Sequence, residues 1–229
     1  MTEMASAYFP SDICTSRDAG SAPSHGESIV VSAYAKGGAK RAFDLVVGSL
    51  ILTVAFVPMA LIAFLVKLDS GGPVLFRQHR VGLGGAVFPL LKFRSMRVQG
   101  SETFRQATRH DARVTRIGRL IRATSLDELP QLLNVMRGDM SLIGPRPHPA
   151  ELDLIYGTRV ADYAARWTVR PGLTGLAQIS GARGETPTVD HMARRVGFDL
   201  QYIRAASLWM DLRILFGTAR EVVASKSAF

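Results

Sequence analysis

The stretch LVVGSLILTVAFVPMALIAFLV, residues 45–66, is 22 residues long, carries no charged side chain and contains one proline, Pro58. About 20 apolar residues are enough for an α-helix to cross the hydrocarbon core of a bilayer. A proline inside a helix removes one backbone hydrogen bond and crowds the preceding turn, which makes it a natural place to bend. The stretch therefore predicts a membrane-inserted helix that bends near Pro58.

Basic residues flank this stretch on both sides. Those before it are Lys36, Lys40 and Arg41, and those after it are Lys67, Arg77, Arg80, Lys92, Arg94 and Arg97. Because Lys and Arg are enriched at the cytoplasmic ends of membrane segments, both ends favour the same side. We therefore predict a re-entrant membrane helix over residues 39–70 that enters and leaves by the cytoplasmic face. A kinked full span and a helix buried in a soluble core are the alternatives.

The charge of the chain is unevenly distributed. Its 229 residues have a formal net charge of +9, but residues 1–44 hold 4 Lys/Arg and 5 Asp/Glu, whereas residues 45–229 hold 24 and 14. A basic region beside an apolar helix indicates anionic lipid headgroups or anionic substrates as partners. Aromatic residues make up only 8%, and we find no zinc finger or basic-helix pattern, so nucleic acid is not the expected partner.

The N-terminal 38 residues are rich in Ser, Ala and Gly and show no hydrophobic periodicity, which predicts a disordered tail over residues 1–38. The apolar stretch begins too far from the N-terminus for a signal peptide. Cys14 is the only cysteine, so a disulfide within the chain is excluded. The five histidines show no metal-ligand spacing, and this composition suits the cytoplasm.

Residues 71–229 are predicted to form a cytoplasmic catalytic domain of the α+β, helix-rich class. Residues 74–76 and 87–91 are apolar and bracket the glycine-rich segment 82–85, which predicts a small β-hairpin. Apolar spacing predicts a helix over residues 114–121 and a second short helix that ends at Gly138. Further helical segments are expected near residues 148–166 and 187–224.

The segment Ser125-Leu126-Asp127-Glu128-Leu129-Pro130-Gln131 places two adjacent carboxylates where a helix begins. Ser125 and Glu128 match a capping box, which is a purely structural explanation. A helix N-terminus also stabilises anions, so the same position would suit a phosphate. Asp127 and Glu128 point in different directions on a helix, so one could attack a phosphate while the other binds Mg²⁺.

Several basic residues could reduce the charge repulsion between a carboxylate and a phosphate. Arg146 is the best candidate because it lies between Pro145 and Pro147, which restrict its backbone, and because arginine binds phosphate oxygens in a bidentate manner. The reserve candidates are Lys92, Arg94, Arg122 and Arg170. Each alone is more often a solvated surface charge, so only their convergence in space would give them a role.

The C-terminal segment 208–216 combines apolar side chains with Asp211 and Arg213. An amphipathic helix in the plane of the membrane interface would use Trp209 as an anchor. An ordinary helix facing the protein core is the alternative.

The chain resembles the bacterial sugar transferase family, the monotopic polyprenyl-phosphate phosphoglycosyl transferases, over about residues 40–223. Its length and tail are most similar to exopolysaccharide-initiating members. The resemblance is carried by six motifs in the family's order: Lys40-Arg41-Ala42-Phe43-Asp44, Gly72-Pro73-Val74-Leu75-Phe76-Arg77-Gln78, Lys92-Phe93-Arg94-Ser95-Met96, the Ser125–Gln131 segment, Gly144-Pro145-Arg146-Pro147 and Arg170-Pro171-Gly172-Leu173-Thr174-Gly175.

The resemblance implies an enzyme on the cytoplasmic face of the bacterial inner membrane. Asp127 would attack the β-phosphate of a UDP-sugar and expel UMP, and polyprenyl (undecaprenyl) phosphate would then take the sugar phosphate from the enzyme. Glu128 would bind Mg²⁺, and Arg122 and Arg146 match phosphate-handling positions. Asp199 and Asp211 also coincide with acids of the family, but neither receives a role.

The sequence leaves the transferred sugar open, with galactose or glucose expected by analogy. Membrane lipids are expected partners, and a homo-oligomer is possible. The alternative function is a non-enzymatic membrane scaffold with a basic face, which would leave the adjacent Asp127 and Glu128 unexplained.

Overall fold

The computed structural model describes residues 29–97, 111–184 and 186–224, and it shows the expected helix-rich α+β fold. Its helices are α1 (Ala33–Lys36), α2 (Gly38–Asp69), α3 (Arg116–Ala123), α4 (Gln131–Arg137), α5 (Ala150–Gly157), α6 (Leu176–Ile179), α7 (Val189–Ala205) and α8 (Leu208–Ala224). Its strands are β1 (Leu75–Val81), β2 (Val87–Phe93), β3 (Ser141–Ile143) and β4 (Gly172–Thr174). Short 3₁₀ turns span Leu83–Gly85, Leu126–Glu128 and Tyr163–Thr168.

The apolar stretch forms α2, a helix of 32 residues that continues through Pro58 without interruption. It is long and apolar enough to cross a membrane. Any bend at Pro58 is therefore accommodated within helical geometry. How the helix lies relative to the two faces of a bilayer stays a prediction.

One stripe of α2 packs against the described residues beyond position 70, which we call the body. The buried residues of this stripe are Lys40, Asp44, Gly48, Ala55, Ile62 and Val66, at intervals of four or seven. Such intervals return to the same face of a helix. Near its start Gly48 lies against Met136 and Leu142, and near its end Ile62 and Val66 cluster with Phe93 and Ile121. The body therefore lies alongside both halves of the helix.

The other faces of α2 are apolar and exposed. Their large exposed side chains, each 57–74% exposed, are Val46, Leu50, Val54, Phe56, Val57, Leu61, Phe64 and Leu68. Only 17% of the most apolar window of the helix is buried. Because most of this apolar surface is exposed, α2 is not the helix buried in a soluble core that was one alternative from the sequence.

Residues 29–38 depart from the predicted disordered tail. They contain helix α1, and Ser32 fixes them to the end of α7 because its backbone N–H donates to Ile203 and its hydroxyl donates to the carbonyl of Ala206. Tyr34 adds a hydrogen bond to Asp211 of α8. Residues 29–38 are thus part of the folded chain, and the rest of the predicted tail, residues 1–28, lies outside the described residues.

The predicted β-hairpin is confirmed. Strands β1 and β2 pair antiparallel, with Leu75 opposite Phe93 and Val81 opposite Val87. The connecting turn places Gly84 and Gly85 at positive φ, which glycine adopts without steric cost. The pairing carries Lys92 to the edge of the body where the acidic turn Leu126–Glu128 lies.

A parallel pair of three-residue strands positions the Pro145-Arg146-Pro147 segment. Ser141 of β3 pairs with Gly172 of β4, and the N–H of Gly172 donates to the carbonyl of Pro145. A Cβ on Gly172 would lie 2.1 Å from the backbone nitrogen of Gly144, so only glycine permits this approach. The glycines of the 170–175 segment therefore serve strand pairing, which fixes where Arg146 leaves β3.

Helix α8 combines the two alternatives that the sequence offered. Asp211 and Ile214 are fully buried against the body, as in a core-facing helix. Trp209 and Phe216 are 78% and 73% exposed, as in a helix that inserts aromatic side chains into a membrane interface. The helix thus has one face in the core and an apolar face outside it.

Candidate active site

The two adjacent carboxylates lie on the acidic turn between α3 and α4. Ser125 precedes the turn with φ 58°, a left-handed conformation that is unusual for a residue other than glycine. Its carbonyl accepts a hydrogen bond from the N–H of Glu128 at 3.2 Å. The predicted capping box is wrong, since the Ser125 side chain forms no capping bond and the Glu128 carboxylate contacts cations instead. The carboxylate thereby makes three bonds to two cations instead of one bond to a backbone N–H.

Glu128 is held between two of the predicted cations, Arg146, which is the best candidate from the sequence, and Lys92, which is one of the reserve candidates. The Nζ of Lys92 lies 2.8 Å from its Oε1, and Arg146 donates from Nη1 to Oε2 at 3.0 Å and from Nη2 to Oε1. Burial alone would raise the pKa of Glu128, but Arg146 and Lys92 outweigh burial and hold the pKa well below its ordinary value. Glu128 is therefore ionised, and it fixes both cations beside Asp127.

Asp127 has a different environment from that of its neighbour. Its side chain is buried, and none of the described residues donates a hydrogen bond to its carboxylate. Burial raises the pKa of Asp127; Lys92 opposes this increase, whereas the charge of Glu128 adds to it. The negative charge of the Asp127 carboxylate is thus only partly balanced by nearby cations. Such a carboxylate is suited to act as a nucleophile toward an electrophilic phosphorus atom.

The remaining predicted cations divide into two groups. Arg122, at the end of α3, lowers the pKa of Asp127 electrostatically and belongs to the site. Arg94 instead donates to the carbonyl of Ser70 at 2.6 Å, and Arg170 donates to the carbonyl of Gly138 at 2.9 Å. Both bind backbone at helix ends, and neither is placed against the acidic pair.

A buried cluster behind Arg146 was missed by the sequence reasoning. Arg166 donates to the carbonyl of Arg146 and, through Nε, to Asp199 at 2.8 Å. His148 lies 2.7 Å from the hydroxyl of Tyr163. Burial, followed by the charge of Arg166, lowers the pKa of His148 well below its ordinary value, so the ring is neutral. The only sequence signal was the position of His148 between two prolines.

Two further arginines, together with Arg166, show how strongly positive this region is. Arg80 and Arg195 both have pKa values lowered to about 10, first by burial and then by the charge of Arg146. Arg166 is compensated by Asp199 and lies 3.9 Å from Asp153. The cluster therefore holds the backbone of Arg146 and maintains a positive potential beside the acidic turn.

The two acids without a predicted role are structural in their contacts. Asp199 pairs with Arg166, as described above. Asp211 accepts hydrogen bonds from Tyr202 at 2.7 Å and Tyr34 at 3.0 Å, and it lies 2.7 Å from the Nζ of Lys40. Asp211 thus joins α8 to the start of α2.

The acidic pair offers a limited set of ligands for Mg²⁺. Within the described parts of the chain, no three Asp, Glu, His or Cys side chains form a group that could hold a metal ion. Mg²⁺ commonly uses one or two carboxylates together with substrate phosphates and water. Asp127 and Glu128 fit that pattern, although the oxygens of Glu128 are already bonded to Lys92 and Arg146. Among the described residues, Oε1 accepts from both cations and Oε2 from Arg146 alone, so Oε2 is the oxygen with room for a metal ion.

Comparison with known proteins shows the family. The sequence profile of the bacterial sugar transferases matches residues 35–225. A UDP-glucose:undecaprenyl-phosphate glucose-1-phosphate transferase of Caulobacter vibrioides is 53% identical over 83% of this chain and 72% of the relative. An Escherichia coli protein of the same name is 47% identical over 83% of this chain and 41% of the relative. The exopolysaccharide production protein PSS of Rhizobium leguminosarum is 44% identical over 78% and 92%.

The chain belongs to the bacterial sugar transferase family, and it is a transferase. This membership removes the alternative of a non-enzymatic scaffold. The chain spans less than half the length of several of these relatives, including the one from Escherichia coli.

Proposed function

We propose that this protein transfers a sugar 1-phosphate from a UDP-sugar to undecaprenyl phosphate and thereby starts the assembly of an exopolysaccharide. Glucose is the favoured sugar, because the Caulobacter and Escherichia coli relatives are named for UDP-glucose. The observation that carries the proposal is the pair of unlike carboxylates: Glu128 is ionised and bound to two cations, while Asp127 is buried beside it without a hydrogen-bond donor among the described residues.

The first step is an attack by Asp127. A carboxylate oxygen of Asp127 forms a bond to the β-phosphorus of the UDP-sugar, and the bond from this phosphorus to the bridging oxygen breaks. UMP leaves with that electron pair, and the sugar phosphate stays on Asp127. Lys92 and Arg146 lie close enough to exchange one contact with Glu128 for a contact with phosphate oxygens as negative charge develops.

The second step returns the enzyme to its starting state. A phosphate oxygen of undecaprenyl phosphate attacks the same phosphorus atom, and the bond to Asp127 breaks with its electrons returning to the carboxylate. Dividing the transfer into two displacements lets the soluble nucleotide leave before the lipid arrives. Mg²⁺, held by Glu128 and the substrate phosphates, would neutralise part of the diphosphate charge.

The apolar exposed surfaces support an active site close to a membrane. The exposed faces of α2, together with Trp209 and Phe216 of α8, offer apolar area that a bilayer would cover. We place the protein on the cytoplasmic face of the inner membrane, since basic residues flank both ends of α2 and UDP-sugars are cytoplasmic.

The test follows UMP release from a panel of UDP-sugars with Mg²⁺ and undecaprenyl phosphate. We expect release with UDP-glucose, and less with UDP-galactose and UDP-N-acetylgalactosamine. Asp127→Asn should reduce the rate of UMP release by at least about 10³-fold, because the amide is not a nucleophile. Release that survives this substitution would remove the covalent step, and no release with any sugar would contradict the proposed reaction.

A further inference from the structure

Arg183 reaches the acidic turn from a distant part of the sequence. Its Nη2 donates to the hydroxyl of Ser125 at 2.7 Å, across 58 positions of the chain. Ser125 immediately precedes the acidic turn and lies two residues before Asp127. The Arg183 side chain is exposed. A cation that is accessible from solution is therefore bonded to the residue that precedes the acidic turn.

The loop that carries Arg183 is held from both sides. Gly181 and Gly184 adopt φ values of 75° and 94°, so the chain turns sharply before and after Arg183. Arg195 of α7 donates from Nε to the carbonyl of Ala182 at 3.0 Å and from Nη2 to the carbonyl of Gly184 at 2.7 Å. The two carbonyls on either side of Arg183 are thus fixed by one side chain.

The anchor itself is costly to bury. Arg195 is only 8% exposed and lies in the same positive cluster as Arg146 and Arg166. Burying a charged side chain opposes folding, and the charges of Arg146 and Arg166 add to this cost while Asp199 offsets part of it. An ordinary surface arginine would not need such an anchor, whereas a side chain that must meet a ligand in one position gains from a fixed backbone.

Arg183 also differs from the other cations of the site in its pairing. Lys92 and Arg146 are both bound to Glu128, so part of their charge is already compensated. Among the described residues, no carboxylate lies within ion-pair distance of Arg183, and its side chain donates instead to the neutral hydroxyl of Ser125. A phosphate would form a stronger, charge-assisted bond than this hydroxyl does.

We propose that Arg183 is a substrate-binding residue that contacts phosphate oxygens beside Asp127, with Arg195 as the positioning residue that holds its loop. This inference rests on the proposed function, because it assumes a phosphate-bearing substrate at the acidic turn. The phosphate could belong to the nucleotide diphosphate of the donor or to the lipid acceptor. The two sources share the same chemistry and are separated by the experiment.

The experiment compares Arg183→Ala, Arg183→Lys and Ser125→Ala in the full chain reconstituted in lipid nanodiscs. In the first arm, the affinity for UDP and for uridine is measured by titration calorimetry. In the second arm, the KM for undecaprenyl phosphate is measured at saturating UDP-glucose. Arg159→Ala, an exposed arginine outside the site, is the matched control and should behave as wild type.

We expect Arg183→Ala to weaken UDP binding or to raise the KM for the lipid by roughly 10- to 100-fold, with uridine binding unchanged. Arg183→Lys should restore part of this loss, and Ser125→Ala should leave both constants within about threefold of wild type. If Arg183→Ala changes neither constant, or if Ser125→Ala reproduces its effect, Arg183 only braces the turn and the inference is wrong.

The failure of this inference is distinguishable from failure of the proposed function. A wild-type protein that binds UDP and releases UMP while Arg183→Ala binds and reacts equally well would overturn only the role of Arg183. A wild-type protein that releases no UMP would overturn the reaction itself.

Discussion

At the scale of single residues, the site depends on two neighbouring acids whose surroundings push their pKa values in opposite directions. Burial raises the pKa of Asp127, whereas Arg146 and Lys92 hold that of Glu128 well below its ordinary value. Pairs of titratable groups separated in this way commonly have different chemical roles. The proposed roles of nucleophile and charge-holding partner follow from this separation.

The raised pKa of Asp127 predicts an acidic limit to activity. Attack needs the ionised carboxylate, so the rate falls as the pH decreases through the pKa of Asp127, which lies above the usual value of about 3.9. Lys92 is the cation that opposes this shift most, and Lys92→Met should move the acidic limb to higher pH. The pH dependence of UMP release measures the acidic limb of the wild type and of Lys92→Met.

Lys36→Met is a suitable control for this prediction, because Lys36 is exposed and lies in α1, away from the acidic turn. Its acidic limb should coincide with that of the wild type. An acidic limb that does not move in Lys92→Met would show that another group limits the rate.

Arg146→Lys tests whether geometry or charge alone matters at this position. Lysine keeps the charge but cannot form the two parallel bonds that Arg146 makes to Glu128. We expect kcat/KM for UMP release to fall roughly 10- to 100-fold while the fold is retained, as judged by the thermal unfolding midpoint. Wild-type kinetics in this variant would mean that the two parallel bonds from Arg146 to Glu128 have no role in the reaction.

Part of the site could be predicted from the sequence. The adjacent acids and the proline-flanked Arg146 form compact local patterns, and these residues do meet in the structure. Arg166 and Arg195 could not be found, because isolated arginines on separate elements have no local signal. Arg94 was placed with the phosphate-binding candidates, yet it binds the backbone of Ser70, because sequence does not show which partner a side chain meets.

At the scale of elements, α2 has two unlike surfaces along its whole length. One stripe is packed against the body near both ends, and the remaining surface is apolar and exposed. If α2 crossed a bilayer completely, the body beside its second half would be carried into the hydrocarbon core, where charged side chains are costly. The packing therefore favours a helix that enters and leaves by one face.

Cysteine labelling tests this prediction. Gly38→Cys and Gly71→Cys place a thiol at either end of α2, in positions where an added Cβ meets no other atom within 4 Å. In a Cys14→Ser background, a membrane-impermeant maleimide should label both variants in inside-out vesicles and neither in right-side-out vesicles. Opposite patterns for the two variants would establish a full span instead.

Elements with strong local signals were predictable from sequence, and the others were not. The β1–β2 hairpin was indicated by its glycine-rich turn, and α4 ends where Gly138 adopts a φ of 93°. Strands β3 and β4 have three residues each, too few to show an alternating pattern. The left-handed conformation of Ser125 has no local sequence signal either, because residues other than glycine rarely adopt positive φ.

At the scale of the whole molecule, a buried ion triad joins the two ends of the fold. Lys40 of α2 lies 2.9 Å from Asp44 and 2.7 Å from Asp211 of α8, and all three residues are at most 5% exposed. Asp44 also accepts hydrogen bonds from the hydroxyl of Ser141 and the N–H of Leu142. The triad thus connects α2, β3 and α8.

Lys40→Met should destabilise the protein by about 3–5 kcal/mol, because it leaves two buried carboxylates without their cation. The free energy of unfolding in denaturant measures this loss. Adding Asp211→Asn to this variant should recover part of it, since one uncompensated charge is removed. Lys36→Met, at an exposed position, should change the free energy by less than about 0.5 kcal/mol. Equal stability of the two lysine variants would contradict the role given to the triad.

The stripe of α2 that faces the body has a practical consequence for anyone who wants a water-soluble form of this enzyme. A shortened chain starting at residue 71 would lose Lys40 and the apolar partners of Leu142 and Ile121, so it should aggregate instead of dissolving. Replacing outward-pointing side chains such as Val46 and Leu50 with polar ones would leave the packed side intact. The helix proposed to insert into lipid is at the same time part of the protein core. Its exposed surface can therefore be substituted, but the helix cannot be deleted.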